Sequence, residues 1–216
     1  MARPFLYVLA GVNGAGKSSI GGHVLHQAGL DWFNPDSYAR ALVQQLGTPQ
    51  AEANAQAWQY GVDLLKAALA AGQSHAFETT LGGTSIAAML HQASTTHDVF
   101  MWFCGLSSPE QHVARVKARV EAGGHPISEA DIHRRWPRAQ HNLIDLMPVL
   151  AALQVYDNST EALAGTAVPD PTLLLQMAEG RLEWPAAEDL AQLQATPHWA
   201  EPLLEAALRA SARSGM

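Results

Sequence analysis

The chain has 216 residues, 48% of them hydrophobic and 15% charged, which is enough for one well-formed core with a small addition and too apolar for a disordered segment. A formal net charge of −7 argues against a general binder of nucleic acid or membrane surfaces. One cysteine, Cys104, leaves no internal disulfide and no Cys-rich metal site, and no stretch reaches the ~18 apolar residues of a membrane span.

The first apolar run, Phe5 to Ala10, reads as a buried strand. It is short and leads straight into glycine, so no secretory leader is visible and a cytoplasmic enzyme is expected. The next eight residues, Gly11-Val12-Asn13-Gly14-Ala15-Gly16-Lys17-Ser18, fit G-x-x-x-x-G-K-[ST], the phosphate-binding P-loop. A helix from Ser18 to about Gln27 is expected to follow, giving the strand–loop–helix context a P-loop requires. Glycines let successive N–H groups turn inward around a phosphate, and the helix N-terminus adds partial positive charge. Lys17 reaches the β- and γ-phosphates and the Ser18 hydroxyl ligates Mg²⁺. Gly11, Asn13, Gly14, Ala15, Gly16, Lys17, Ser18 and Ser19 are therefore the candidate nucleotide-binding residues, with ATP and Mg²⁺ as the ligands.

Trp32-Phe33 reads as a short second strand, stopped by Pro35. Asp36 then lies at a strand's carboxyl end, before a helix from Ser37 to about Leu46. Ligands of open α/β sheets bind outside such ends, so Asp36 is a candidate site residue; a helix-capping aspartate is the other reading. Residues from about Pro49 to Ala71 form one long helix, with Trp58, Val62, Leu65 and Leu69 as a core-facing stripe. Ser74 to Thr80 is a third strand with a polar end that carries Glu78 and Thr80, and a helix from Thr84 to about Ala93 follows. Two separate strands delivering acids to one edge favour a functional Glu78 over turn chemistry alone.

Asp98 to Leu106 is the clearest strand, apolar almost throughout as in the centre of a parallel sheet, with Cys104 as a buried thiol. Ser107-Ser108-Pro109-Glu110 opens a helix that carries Arg115 and Arg119 on one face and ends near Gly123-Gly124. Ser128-Glu129-Ala130-Asp131 caps another, bearing Arg134 and Arg135, which Pro137 kinks or limits. Arginines on two helices across a double-glycine break suggest a lid, about residues 108–147, that closes over phosphate and excludes water. Leu153 to Ser159 is a fifth strand. From about Thr160 the texture changes, and segments at about 172–179, 186–195 and 200–212 read as helices of a C-terminal appendage, packed on the sheet or facing a partner.

The fold expected is α/β: a doubly wound parallel sheet of about five strands with helices on both faces, a P-loop domain at residues 1–160, which the resemblance given next makes a kinase domain, an arginine lid and a helical appendage at 161–216.

Six ordered pieces, GVNGAGKSS (11–19), FNPD (33–36), FETTLGG (77–83), ARVKARVEAGGHPI (114–127), RRWPRAQHNL (134–143) and YDNS (156–159), together resemble the zeta-toxin-like P-loop kinases, particularly their short bacterial members. The resemblance implies roles. Lys17 and Ser18 look like phosphate and Mg²⁺ ligands, and Asp36 like the base that deprotonates the acceptor hydroxyl. Glu78 and Thr80 look like substrate-binding groups. Arg119 and Arg134 look like the arginines that clamp the transferred phosphoryl, with Arg115 or Arg135 as alternatives in register. Asn158 lies where the adenine end of the nucleotide sits. Zeta toxins phosphorylate the 3′-hydroxyl of a UDP-N-acetyl amino sugar, so the resemblance implies a small-molecule acceptor and an antitoxin partner. The compact stretch between Asp36 and Glu78, Pro35, Pro137 and the C-terminal segment depart from the family pattern. A nucleotide-dependent switch that engages a protein partner, and a kinase of nucleic-acid 5′-ends, are the alternatives.

Overall fold

A computed structural model describes residues 3–18, 21, 25, 29–161 and 169–214. Its frame is a six-stranded sheet. In chain order the strands are β1 (Phe5–Ala10), β2 (His75–Thr79), β3 (Asp98–Gly105), β4 (Ala152–Asp157), β5 (Thr172–Ala178) and β6 (Arg181–Trp184). In space they run β2-β1-β3-β4-β5-β6. The first four are parallel; β5 and β6 extend the sheet antiparallel. The described helices are α1 (Pro35–Leu46), α2 (Gln50–Ala71), α3 (Thr84–Ala93), α4 (Pro109–Glu121), α5 (Glu129–Leu146), the short α6 (Leu190–Gln194) and α7 (Glu201–Ser214).

The parallel strands are apolar on both sides because both sides are covered. Alternation along β1 sends Leu6, Val8 and Ala10 into the main core and Leu9 into a second cluster with Leu25 and Ala76, flanked by Tyr7, Trp32 and Trp102. The main core continues through Ile132, Ala139 and Leu143 of α5 and Leu203 and Ala207 of α7. Helix α5 runs through Pro137 as far as Leu146. The α1–α2 hairpin has its own contact of small residues, Ala39 with Ala53 and Ala57. No helix among the described residues is long and apolar enough to cross a membrane.

Four expectations need correction. The second strand at Trp32-Phe33 reduces to a single bridge from Phe33 to Phe77, so Phe33 touches the sheet edge without forming a ladder. Helix α1 starts two residues earlier than read, capped by Asn34, whose side chain accepts from Ser37 N–H; Asp36 sits in the first turn and is not the cap. Trp58 lies off the buried face of α2, at 51% exposure, while Val62 and Leu65 of the same stripe are buried. The helix from Ser18 to Gln27 lies largely outside the described residues, although Lys17, Ser18, Gly21 and Leu25 are helical.

The fourth correction concerns the C-terminal segment, which is not all helical. Residues expected as a helix at 172–179 are strand β5, and the 186–195 helix shrinks to α6. Helix propensity in Leu173-Leu174-Leu175 loses to tertiary pairing with the free edge of β4. The turn to β6 is two residues, Glu179 (φ 49°) and Gly180 (φ 75°), both left-handed, as tight hairpins require. Behind the hairpin, Trp199 buries its ring against Gly105 at the end of β3, where an added Cβ would come within 2.1 Å of that ring. Its indole N–H donates to Asp157 Oδ1 at 3.2 Å. The C-terminal segment thus braces the sheet edge that bears Asn158.

Trp199 is 5% exposed, and truncating a buried tryptophan opens a large cavity. Trp199→Ala should lose about 3–5 kcal/mol of stability in urea denaturation. Unchanged stability would mean that the C-terminal helix is not part of the cooperative unit.

Candidate active site

The P-loop is held open by its contacts with four elements. Gly11 (φ 137°) lies against β3, where a Cβ would stand 2.2 Å from the Cys104 carbonyl oxygen, so no other residue fits. Gly14 (φ 87°) and Gly16 (φ 90°) supply the left-handed turns that point the loop inward. Side chains tie down the loop's acceptors. Asn158 Nδ2 donates to the Ala15 carbonyl at 2.9 Å, the His112 ring bonds through Nδ1 to the Asn13 carbonyl at 2.9 Å, and Arg135 donates to Asn13 Oδ1 at 2.8 Å. Lys17 and Ser18 open a helix, whose first N–H groups have no intrahelical acceptor and suit an anion.

Glu78, 6% exposed at the end of β2, forms the second part of the site. Its Oε2 accepts from the Ser18 hydroxyl at 3.0 Å, and its Oε1 accepts from Trp32 Nε1 and Asn34 Nδ2, each at 3.0 Å. Asn34 Nδ2 also reaches Ser18 Oγ at 3.2 Å. Ser18 and Glu78 therefore present hard oxygen donors side by side, the chemistry Mg²⁺ prefers. Among the described residues no cluster of three or more His, Cys, Asp or Glu exists.

The third part is a cavity of about 310 Å³ that opens beside the loop. Asn13, Lys17, Asp36, Glu78, Thr80, His125 and Arg135 share its lining, opposite an apolar wall that includes Phe33, Trp58, Val62 and Ile86. Asp36 is thus on the same side of the sheet as Lys17. Its Oδ2 lies 3.8 Å from Arg119 and its Oδ1 lies 3.6 Å from His125 Nε2. Thr80 accepts from Gly82 N–H at 3.4 Å in the turn after β2, which Asn142 of α5 clasps through the Leu81 and Gly83 carbonyls.

The structure separates the four arginines. Arg135 bonds the P-loop and lines the cavity, while Arg134, its neighbour, is more than half exposed and pairs with Asp131 of its own helix. Arg119 faces Asp36, and Arg115 instead donates to the Thr160 carbonyl at 3.3 Å, past the end of β4. The Arg119/Arg134 pairing expected from the sequence is therefore not the one brought to the site; Arg119 and Arg135 are. Ser19 lies outside the described residues. Asn34, Trp32, His112 and His125 were not singled out as site residues in sequence. Asn34 before Pro35 carried the signal of a helix cap, whereas the histidines carried none, since only the fold shows that they are buried.

No family model matches the sequence, and no curated protein does. Solved structures share its fold, three of them as follows. A chain of the AvrRxo1-ORF1:AvrRxo1-ORF2 complex, solved with sulphate ions, superposes at TM-score 0.61 and 15% identity over 98% of this chain and 75% of that one. The PezAT chromosomal toxin–antitoxin system of Streptococcus pneumoniae gives 0.54 at 17% identity, covering 73% and 68%. A protein of Chloroflexus aurantiacus assigned as a kinase gives 0.51 at 18% identity, covering 62% and 78%. The chain has the P-loop kinase-type α/β fold, and at these identities the likeness is one of fold.

Two outcomes follow from this geometry. Burial, opposed by the bond to the Asn13 carbonyl, lowers the His112 pKa to about 4. The unfolded chain then takes up a proton near pH 6.5 that the folded chain refuses until about pH 4, so stability falls as pH drops through that window, by on the order of 3 kcal/mol. His112→Asn, which keeps a donor for the Asn13 carbonyl, should flatten this dependence in denaturation curves taken from pH 7 to pH 4. Separately, Arg135→Ala should weaken Mg-ATP binding about tenfold or more by calorimetry, and Arg134→Ala should change it less than twofold.

Proposed function

We propose that this protein is an ATP- and Mg²⁺-dependent kinase that transfers the γ-phosphoryl group to a hydroxyl of a small molecule. The observation that carries the reading is the convergence of Lys17 and Asp36 on one cavity, with the Ser18–Glu78 pair at its edge. The P-loop supplies the triphosphate cradle. Lys17 neutralises charge on the β- and γ-phosphates, and Arg135 and Arg119 lie where they can offset charge as it spreads in transfer. Ser18, with Glu78 beside it, would hold Mg²⁺, which would supply charge neutralisation at the phosphates.

Asp36 is the proposed base. Its carboxylate is 42% exposed in the cavity, so an acceptor hydroxyl has access to it. As that oxygen bonds to the γ-phosphorus, Asp36 accepts the hydroxyl proton and ADP leaves. The aromatic and aliphatic wall from Phe33, Trp58, Val62 and Ile86 suits an acceptor with an apolar or planar portion next to its hydroxyl. A UDP-N-acetyl amino sugar is the acceptor class the family resemblance brings. An antitoxin partner is proposed from the same resemblance and from the PezAT toxin–antitoxin likeness. Asn158 and the β4 end are proposed to border the adenine.

Incubation with γ-labelled ATP and a bacterial metabolite extract should yield one labelled small molecule, identified by mass spectrometry. Asp36→Asn should bind Mg-ATP with wild-type affinity and lose transfer by about a hundredfold or more. Transfer at the wild-type rate by this variant would remove Asp36 as the base. A switch protein would instead hold nucleotide and label no metabolite.

A further inference from the structure

His125 is one of five buried polar or charged residues in the described part of the chain, and its side chain is only 7% exposed. It lines the cavity that contains Lys17 and Asp36. Its Nε2 is buried and has no hydrogen-bond partner, yet Asp36 Oδ1 stands 3.6 Å away, just outside bonding range. On the other carboxylate oxygen, Arg119 approaches to 3.8 Å, with its Nε and second terminal nitrogen also buried and unpartnered. Leaving buried donors without acceptors is costly, so these groups are short of a ligand or of a closer carboxylate.

The double glycine makes this arrangement. Gly123 (φ 89°) reverses the chain at the end of α4, and Gly124 N–H donates to the Arg119 carbonyl at 2.8 Å. A Cβ at Gly124 would stand 2.8 Å from both that carbonyl oxygen and Arg119 Cγ. The turn thus lays His125 alongside Arg119, so the two meet Asp36 from one segment, one on each oxygen.

We propose that His125 is a positioning residue for Asp36, an inference that rests on the kinase reading above. The two prongs differ in what they can do next. Arg119 has spare donors for phosphate oxygens and leaves Oδ2 when phosphate draws it away. Burial holds the His125 pKa below its ordinary value, against the pull of Asp36, so the ring is neutral at pH 7. A neutral ring with its proton on Nε2 donates to Oδ1 and keeps the carboxylate turned to the acceptor. In the transfer step the acceptor oxygen bonds to the γ-phosphorus, the bond from that phosphorus to the β–γ bridging oxygen breaks, and the hydroxyl proton passes to Oδ2. His125 takes no proton in this step. It keeps Oδ2 where the proton arrives.

The test uses the full-length protein, γ-labelled Mg-ATP and the metabolite extract, with folding of each variant checked by thermal melting. His125→Leu should lower the maximal transfer rate on the order of tenfold to a hundredfold, with the KM for ATP within about twofold of wild type. His125→Gln, whose amide nitrogen falls near the position of Nε2, should recover most of that loss. In the Asp36→Asn background, His125→Leu should change the residual rate less than about twofold, because a residue that acts through Asp36 has nothing left to orient. A full rate in His125→Leu, equal losses in the Leu and Gln variants, or additive losses with Asp36→Asn would each overturn the proposal. No labelled product from the wild-type protein would instead overturn the kinase reading and the His125 role with it.

Discussion

Everything at the active site depends on how tightly the P-loop is clasped. Asn13 is 4% exposed, and both its carbonyl groups are engaged: the backbone oxygen by His112 of α4, the side-chain oxygen by Arg135 of α5. Gly11 presses on the Cys104 carbonyl of β3, and Asn158 beyond β4 holds the Ala15 carbonyl. A loop whose carbonyls are engaged, those of Asn13 and Ala15 by side chains and that of Val12 by Ala15 N–H, is held in shape to face a phosphate without having to rearrange. That is electrostatic preorganisation, and it is worth most where water is excluded.

The same clasp limits how the basic segment can move. A lid hinged freely at Gly123-Gly124 would be the simple reading of its sequence. Yet α4 and α5 are each fixed to Asn13, α4 near its start and α5 by its second turn. Their common tip, around residues 119–131, packs Val120 and Ile127 against the main core. The exposed pair Lys117–Glu129 links the two helices at this tip, and an exposed pair contributes about 1 kcal/mol or less. A swing of whole helices would therefore have to break the bonds of His112 and Arg135 to Asn13.

The chemistry-bearing loop was legible in sequence because its requirements are local. Glycine where φ is positive, lysine and serine at a helix start, and an apolar strand before them can be read without knowing the rest of the fold. Glu78 was legible by topology, since parallel strands bring their carboxyl ends to one edge, whereas the strand expected to deliver Asp36 reduces to one bridge from Phe33 to Phe77. What was not legible depends on distant packing. Arg134 and Arg135 are adjacent, and no local rule says which one turns inward. The answer comes from Gly82, where a Cβ would stand 2.6 Å from Arg135 Cγ, and from Asn13 across the loop. The C-terminal strand failed for a similar reason: its leucines suit a helix until the open edge of β4 offers backbone partners.

The C-terminal hairpin also changes the meaning of that segment. Packed as β5, β6 and α7, it closes an edge that would otherwise expose the unpaired N–H and C=O groups of β4. It also determines what lies under the end of β4. Trp199 holds Asp157, Asp157 accepts from the Ser159 backbone and hydroxyl, and Ser159 Oγ accepts from Ser107 N–H at 2.8 Å. Asn158, the brace of the P-loop, sits inside that chain of bonds. Positioning of the loop's far side thus rests on a tryptophan about forty residues downstream of Asn158, and the segment that carries no motif supports the residues that do.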